Sequence, residues 1–246
     1  MTFFIVPDWP APESVRALST TRCGGHSTGP FAGLNLADHV GDEAATVAAN
    51  RRWLRETTRL PAEPVWLKQV HGSRCVLIDR DSPAEPADAG AAMLPGRVCA
   101  VLTADCLPVL ICDAQGTAVA AVHAGWRGLV AGVLENSLAQ LTLPGERLLV
   151  WLGPAIGSHA FEVGDDVRGA FVGEDAAAEE AFVPLREGKW LCDLYAIARQ
   201  RLLRLGVEKI YGGGECTLSD PKRFYSFRRD GVTGRMASLI WLEPRV

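Results

Sequence analysis

No stretch of this chain approaches the ~18 uninterrupted apolar residues of a membrane-spanning helix, which excludes a helical membrane protein. Met1 to Pro10 lacks both a basic start and an apolar run of export length, so a cytoplasmic location is expected. There is no C-x-x-C pair, and the seven cysteines (Cys23, Cys75, Cys99, Cys106, Cys112, Cys192 and Cys216) are odd in number and scattered. Reduced thiols fit that pattern better than a disulfide framework. Basic charge is not in excess: 25 Lys plus Arg against 29 Asp plus Glu leaves a net charge of −4. Nucleic acid and anionic membrane surfaces are therefore not expected partners. No G-x-G-x-x-G follows a strand-like run and no P-loop occurs, so dinucleotide and Walker-type nucleotide binding have no motif to rest on. Internal repeats are also absent.

What remains is an ordinary globular balance, 48% hydrophobic and 22% charged over 246 residues, enough chain to bury a core without staples. Asp81 to Pro95, with three prolines and several alanines, reads as a long loop, so residues 1–246 are expected to form one domain. Strand patterns cover Phe3–Val6, Val15–Thr21, Val65–Val70, Arg74–Ile78, Val98–Leu102, Pro108–Cys112, Thr117–Val122, Arg147–Leu152, Val207–Tyr211 and Met236–Leu242. Helical patterns cover Asp42–Thr58, capped by Asp42 and with Val47, Ala48 and Leu54 on an apolar face, and also Trp126–Leu141, Asp165–Ala181 and Asp193–Leu205. Consecutive strands broken by a few helices predict an α+β fold with mixed or antiparallel sheets.

Histidine is scarce, with five in all: His26, His39, His71, His123 and His159. Two of them close strand-like runs. His71 ends Lys68-Gln69-Val70-His71-Gly72, and His123 stands where a strand meets a helix, in Val122-His123-Ala124-Gly125-Trp126-Arg127-Gly128. Between them lies Thr103-Ala104-Asp105-Cys106-Leu107-Pro108, a turn joining two apolar strands. Two imidazoles and a thiolate are a donor set that zinc accepts, and three protein ligands leave the fourth position of a catalytic site open. The spacing alone is weakly specific. The same residues also read as two hydrogen-bonded strand-end histidines with a buried cysteine, or as a Cys106–His123 nucleophile pair.

These three segments, in this order, are similar to the laccase-domain family, also known as the YfiH or multicopper polyphenol oxidase family. Further matching pieces are Gly33-Leu34-Asn35-Leu36, His39-Val40-Gly41-Asp42, Asn50-Arg51, Gly153-Pro154-Ala155-Ile156-Gly157, Phe161-Glu162-Val163 and Phe224-Tyr225-Ser226-Phe227-Arg228-Arg229-Asp230. The resemblance covers nearly the whole chain. It implies a layered α+β sandwich of mixed sheets with flanking helices, and zinc held by His71, Cys106 and His123. Copper is the alternative occupant, since Cu²⁺ exceeds Zn²⁺ in raw affinity. It further implies phosphorolysis of adenosine, inosine and methylthioadenosine, deamination of adenosine, and a link to editing of a cell-wall precursor or to its ligase. A polyphenol oxidase built on a type 1 copper and an imidazole-rich three-copper cluster does not fit five histidines with no His-x-His pair.

Asp105 beside Cys106 is the expected proton shuttle, with Glu162 its rival. Arg127, at the start of the helix after His123, offers a planar donor fork for phosphate, while a tie to a surface carboxylate explains it as well. Arg51 and Lys68 would add positive charge, and Asn35 would hydrogen-bond ribose or base unless it serves an Asx turn. Phe224, Tyr225 and Phe227 form an aromatic group suited to stacking a purine or to filling core. A cysteine amidase using Cys106 and His123 on a cell-wall precursor is the competing enzyme reading, and a ligase-binding protein with little chemistry of its own is the non-enzymatic one.

Overall fold

Residues 2–79 and 86–244 are described by a computed structural model. In chain order its strands are β1 (Phe4–Ile5), β2 (Val15–Thr20), β3 (Val65–Trp66), β4 (Cys75–Leu77), β5 (Ala89–Ala92), β6 (Val98–Thr103), β7 (Leu107–Asp113), β8 (Val119–Ala124), β9 (Leu148–Leu152), β10 (Glu162–Gly164), β11 (Phe182–Arg186), β12 (Lys189–Cys192), β13 (Lys209–Gly212) and β14 (Met236–Leu242). The α-helices are α1 (Ala44–Thr58), α2 (Trp126–Val130), α3 (Val133–Leu141), α4 (Asp165–Glu174), α5 (Leu194–Arg204) and α6 (Phe227–Asp230). A five-stranded sheet runs β1-β2-β14-β6-β3 and a six-stranded sheet runs β13-β9-β7-β8-β5-β4. Each is mixed: β3 is parallel to β6 in the first, and β13 to β9 and β4 to β5 in the second. A small antiparallel sheet, β10-β12-β11, completes the set.

Period-two alternation sorts the layers. In β7, Leu107, Val109 and Ile111 join one core, with Val133, Leu134 and Leu138 of α3 and Ile197, Ala198 and Leu202 of α5. Leu110 and Cys112 join the other core, with Val101 of β6 and Ile240 of β14. Both faces of the six-stranded sheet are thus apolar, one against helices and one against the five-stranded sheet. Opposite parity on β6 and β14 (Val98, Ala100, Leu102, Ala237, Leu239, Trp241) packs outward onto Leu54 of α1 and onto Leu34 and Leu36 of the loop before it. Each fully buried leucine there stabilises by roughly 1.5–3 kcal/mol. The layered α+β plan with mixed sheets and flanking helices is what the chain adopts.

Several local expectations change. The face of α1 buries Val47, Asn50 and Leu54, while Ala48 is exposed. Its N-cap residue is Glu43; Asp42 instead accepts from Ser27 Oγ and Asn35 Nδ2, tying the preceding loop. The helix expected over Trp126–Leu141 breaks at Gly132, whose φ of 83° lies in the left-handed region. The one over Asp165–Ala181 breaks at Asp175, which caps a 3₁₀ turn through the Ala177 N–H. Asp81–Pro95 holds β5 rather than loop alone, and residues 81–85 of it lie outside the described residues. The strand expected over Val65–Val70 stops at Trp66. Beyond it, Gln69 takes the place of a strand neighbour: its amide donates to the Leu102 carbonyl at 2.9 Å and accepts from the Leu102 N–H at 2.8 Å.

Candidate metal centre

The three segments converge at one rim of the sandwich. β6 belongs to the five-stranded sheet and β7 to the six-stranded one, so the turn carrying Cys106 is where the chain crosses between them. His123 lies in β8, beside β7, in register with Pro108. His71 is brought in by the segment that Gln69 fastens beside β6. The ligand atoms of His71, Cys106 and His123 lie within 4.8 Å of one another. The Cys106 Sγ to His71 Nε2 distance is 3.8 Å. A tetrahedral site with ordinary Zn–S and Zn–N lengths needs about 3.6 Å between these atoms. The donor set and its spacing therefore fit zinc.

Asp88 holds this arrangement, and it went unrecognised in the sequence. Its carboxylate is fully buried. It accepts from the backbone N–H groups of Val70, His71 and Gly72, at 2.8 Å from His71 and 2.7 Å from Gly72. It also accepts from His123 Nδ1 at 2.8 Å. That bond fixes the imidazole tautomer and leaves Nε2 for the centre. The nest of N–H groups holds His71 at φ 60°. Asp105 adopts φ 97°, so two of the four positive-φ non-glycine residues described fall here. Such backbone persists only where the surroundings over-determine it.

The electrostatics are those of a coupled ligand set. Burial alone would raise the Cys106 thiol, but the charges and hydrogen bonds of His123 and His71 outweigh it and hold the group at about 6. Burial would lower His123, yet Cys106 and Asp88 push it up to about 9. For Asp88, burial is countered by its bonds from His123 and the backbone N–H groups of Gly72 and Val70, leaving it below the usual carboxylate range.

Gly125 is the floor of the cluster. A Cβ there would lie 2.9 Å from Cys106 Sγ and 3.2 Å from His71 Cδ2. Its backbone is extended (φ −66°), so alanine is tolerated conformationally and the crowding falls on the ligands. Gly125→Ala is expected to fold and to weaken zinc binding roughly tenfold or more, as loss of ligand orientation does. A competition titration against a chromophoric chelator would read this. Wild-type affinity would mean that the ligands shift freely.

The other expected site residues divide. Asp105 is 9% exposed, and its Oδ1 accepts from Thr217 Oγ1 at 2.6 Å and its Oδ2 from the Arg228 N–H at 2.7 Å. It lines a cavity of about 330 Å³ together with His71, Cys106, Trp126, Arg127 and Phe161. Arg127 is exposed and stacks on Trp126, 4.3 Å from its ring centroid. Helix α2, in whose first turn it lies, is only 5 residues long. Glu162 turns away, its Oε1 accepting from Arg186 Nη2 at 2.7 Å. Arg51 stacks on Trp66 and donates to the Leu36 carbonyl, which ties it to the α1 loop. Lys68 is exposed and borders neither cavity beside the cluster. Asn35 is fully buried, accepting from the Ala37 and Arg235 N–H groups and donating to Ala37 and Asp42, an Asx-type brace. Phe224 and Tyr225 are core, whereas Phe227 is exposed beside the cluster.

Two imidazoles and a thiolate at the edge of stacked mixed sheets, oriented by one buried carboxylate and opening onto cavities, define a candidate metalloenzyme of α+β architecture. The chain belongs to the family described as multi-copper polyphenol oxidoreductase laccase, whose model matches residues 16–243. It is 54% identical over 244 residues to the purine nucleoside phosphorylase PA4543 of Pseudomonas aeruginosa, covering 99% of this chain and 100% of that one. With the purine nucleoside phosphorylase YfiH of Escherichia coli it shares 52% over 243 residues, 98% of this chain and 100% of the other. The crystal structure of Neisseria meningitidis protein NMB0706 superposes with a TM-score of 0.95 at 47% identity, covering 99% of this chain and 100% of that one.

Proposed function

We propose that this chain is a zinc-dependent purine nucleoside phosphorylase that acts on adenosine, inosine and methylthioadenosine and also deaminates adenosine. The observation that carries the reading is the cluster of His71, Cys106 and His123, of which His71 and Cys106 line a cavity with Trp126, Phe161 and Phe227. Full-length relatives named purine nucleoside phosphorylases support it. Zinc, when bound by these three residues, supplies Lewis acidity. The apolar and aromatic walls suit a purine and its sugar. Arg127 borders that space and is assigned to substrate. Asp105 is assigned to proton handling, because it lines the cavity next to Cys106 and Glu162 does not. Asn35, Arg51 and Lys68 act, in this reading, through the loops that frame the site. Copper would bind the same donors, but five histidines do not furnish a three-copper cluster.

The Cys106–His123 pair, with its thiol held at about 6, supports a second reading as a cysteine amidase on a cell-wall precursor. Metal dependence separates the two. The protein purified without added metal is expected to carry close to one zinc per chain. It should release adenine, hypoxanthine and inosine from adenosine with phosphate, and lose this on exhaustive chelation. Metal-free protein with no purine product would sink the phosphorylase. Turnover of a precursor amide that survives chelation would establish the amidase.

A further inference from the structure

Two cavities, of about 330 and 310 Å³, lie against the metal cluster and share His71, Ala104, Cys106 and Phe227 in their walls. Phe227 is 57% exposed at the head of α6 and forms the partition between them. Their chemistry differs. The first has Trp126, Ile156, Phe161 and Leu194, with Asp105, Arg127 and Arg228 also in its wall. The second has no carboxylate among its lining residues and presents Gln69, Thr103, His123 and Arg235.

The half-buried arginines divide, and Arg22, Arg97 and Arg199 have no ion pair among the described residues. Arg51, Arg147, Arg223 and Arg229 each lie within ion-pair distance of a carboxylate. Among the described residues, Arg235 has no such partner. Its backbone N–H is fastened to Asn35 Oδ1 at 3.0 Å. Its Nη1 donates to the carbonyls of Thr233 and Gly234 at 2.9 and 3.0 Å, and its guanidinium carbon sits 5.7 Å from the Phe227 ring centroid. These contacts fix the plane of the fork but consume only one nitrogen. Nε and Nη2 make no hydrogen bond among the described residues, on a side chain that lines the second cavity. An oriented guanidinium with free donors and no ion-pair partner is suited to receive a tetrahedral oxyanion in two-point fashion.

We propose that Arg235 is the recognition residue for inorganic phosphate, which occupies the second cavity while the nucleoside occupies the first, the two meeting past the edge of Phe227. This rests on the phosphorylase reading. A phosphate oxygen then forms a bond to the ribose anomeric carbon as the glycosidic C–N bond breaks. The bond pair leaves with the purine nitrogen, which takes up the proton brought by hydrogen phosphate, giving free purine and ribose 1-phosphate. Deamination consumes water and no phosphate, so it does not use Arg235.

The test uses the zinc-loaded protein and its Arg235→Ala, Arg235→Lys and Arg127→Ala variants. Two readouts apply: KM for phosphate and for inosine measured separately, and titration of the protein with inorganic phosphate alone by ³¹P line broadening. Losing a hydrogen-bonded charge weakens binding by roughly 10- to 100-fold. Arg235→Ala is expected to raise the phosphate KM by that factor with the inosine KM within about twofold. Arg235→Lys, which keeps the charge but not the fork, should fall between and covers the case of an alanine variant that does not fold. Arg127→Ala should move the inosine KM instead. A phosphate KM and phosphate titration unchanged in both Arg235 variants would overturn the proposal, as would a phosphate KM that follows Arg127 alone. If the wild type releases no purine, the phosphorylase reading fails, and the ³¹P titration of wild type against Arg235→Lys still decides whether Arg235 binds the anion.

Discussion

Cys106→Ala is expected to leave a folded protein without stoichiometric zinc and without phosphorolysis. The side chain is half-buried in a turn, so packing is not the main loss. Metal binding is. Structural zinc sites bind with roughly 10–16 kcal/mol, and one ligand of a small set carries several kcal/mol of it, so affinity should fall on the order of a hundredfold or more. Electrostatics sharpen the effect, because the Cys106 charge is a major influence raising His123. Without it the two imidazoles face each other, ring centroids 4.7 Å apart, with no anion between them. Metal analysis after dialysis, near-ultraviolet circular dichroism and a purine-release assay together give the answer. Near-normal zinc content in a folded variant would remove Cys106 from the ligand set. Normal turnover with normal zinc would remove the cluster from the chemistry.

Asp88→Ala should cost more in stability than any other single change at the site. Its carboxylate is the shared acceptor for three part-buried backbone N–H groups and a buried imidazole. Removing one partner of such a buried network costs about 3–5 kcal/mol, because the groups left behind stay desolvated. The left-handed backbone of His71 would lose its restraint at the same time. Urea unfolding of the metal-free protein is expected to show a destabilisation of that order. Asp88→Asn is the finer probe. It preserves shape and one acceptor oxygen, but its amide competes for the His123 Nδ1 bond, so zinc affinity should fall roughly 10- to 100-fold with a smaller loss of stability. Nitrogen-15 spectra of the imidazoles would show the His123 tautomer becoming mixed. Wild-type zinc affinity and a single unchanged tautomer in Asp88→Asn would show that Asp88 only fills space.

The parts of this architecture that are local in origin were legible. Nearly continuous apolar runs in Val98–Leu102, Pro108–Cys112, Thr117–Val122 and Met236–Leu242 mark strands that do form. His71, Cys106 and His123 stand out because histidine is rare here and because each sits at a break in a strand pattern. The helix ends were less legible. Gly132 and Asp175 interrupt runs whose apolar spacing continues past them, and the interruption comes from left-handed backbone and capping rather than from composition. Strand β5 hid in an alanine- and glycine-rich stretch whose side chains are too small to show a period.

The sequence by itself determined the layers, since a period of two on β6, β7 and β14 dictates which side chains meet which core, and it determined the rare donors a metal would choose. Only the tertiary structure decided how those donors are held and what faces them. Asp88 is an unremarkable acid beside a proline-rich loop until β5 pairs with β8 and brings it to His123. Arg235 is one arginine among many until the turn before β14 sets it across Phe227 from the aromatic cavity. Periodicity and scarcity are properties of neighbouring residues along the chain. The orientation of an imidazole and the absence of an ion-pair partner are properties of groups far apart in sequence, which become neighbours only when the two sheets stack.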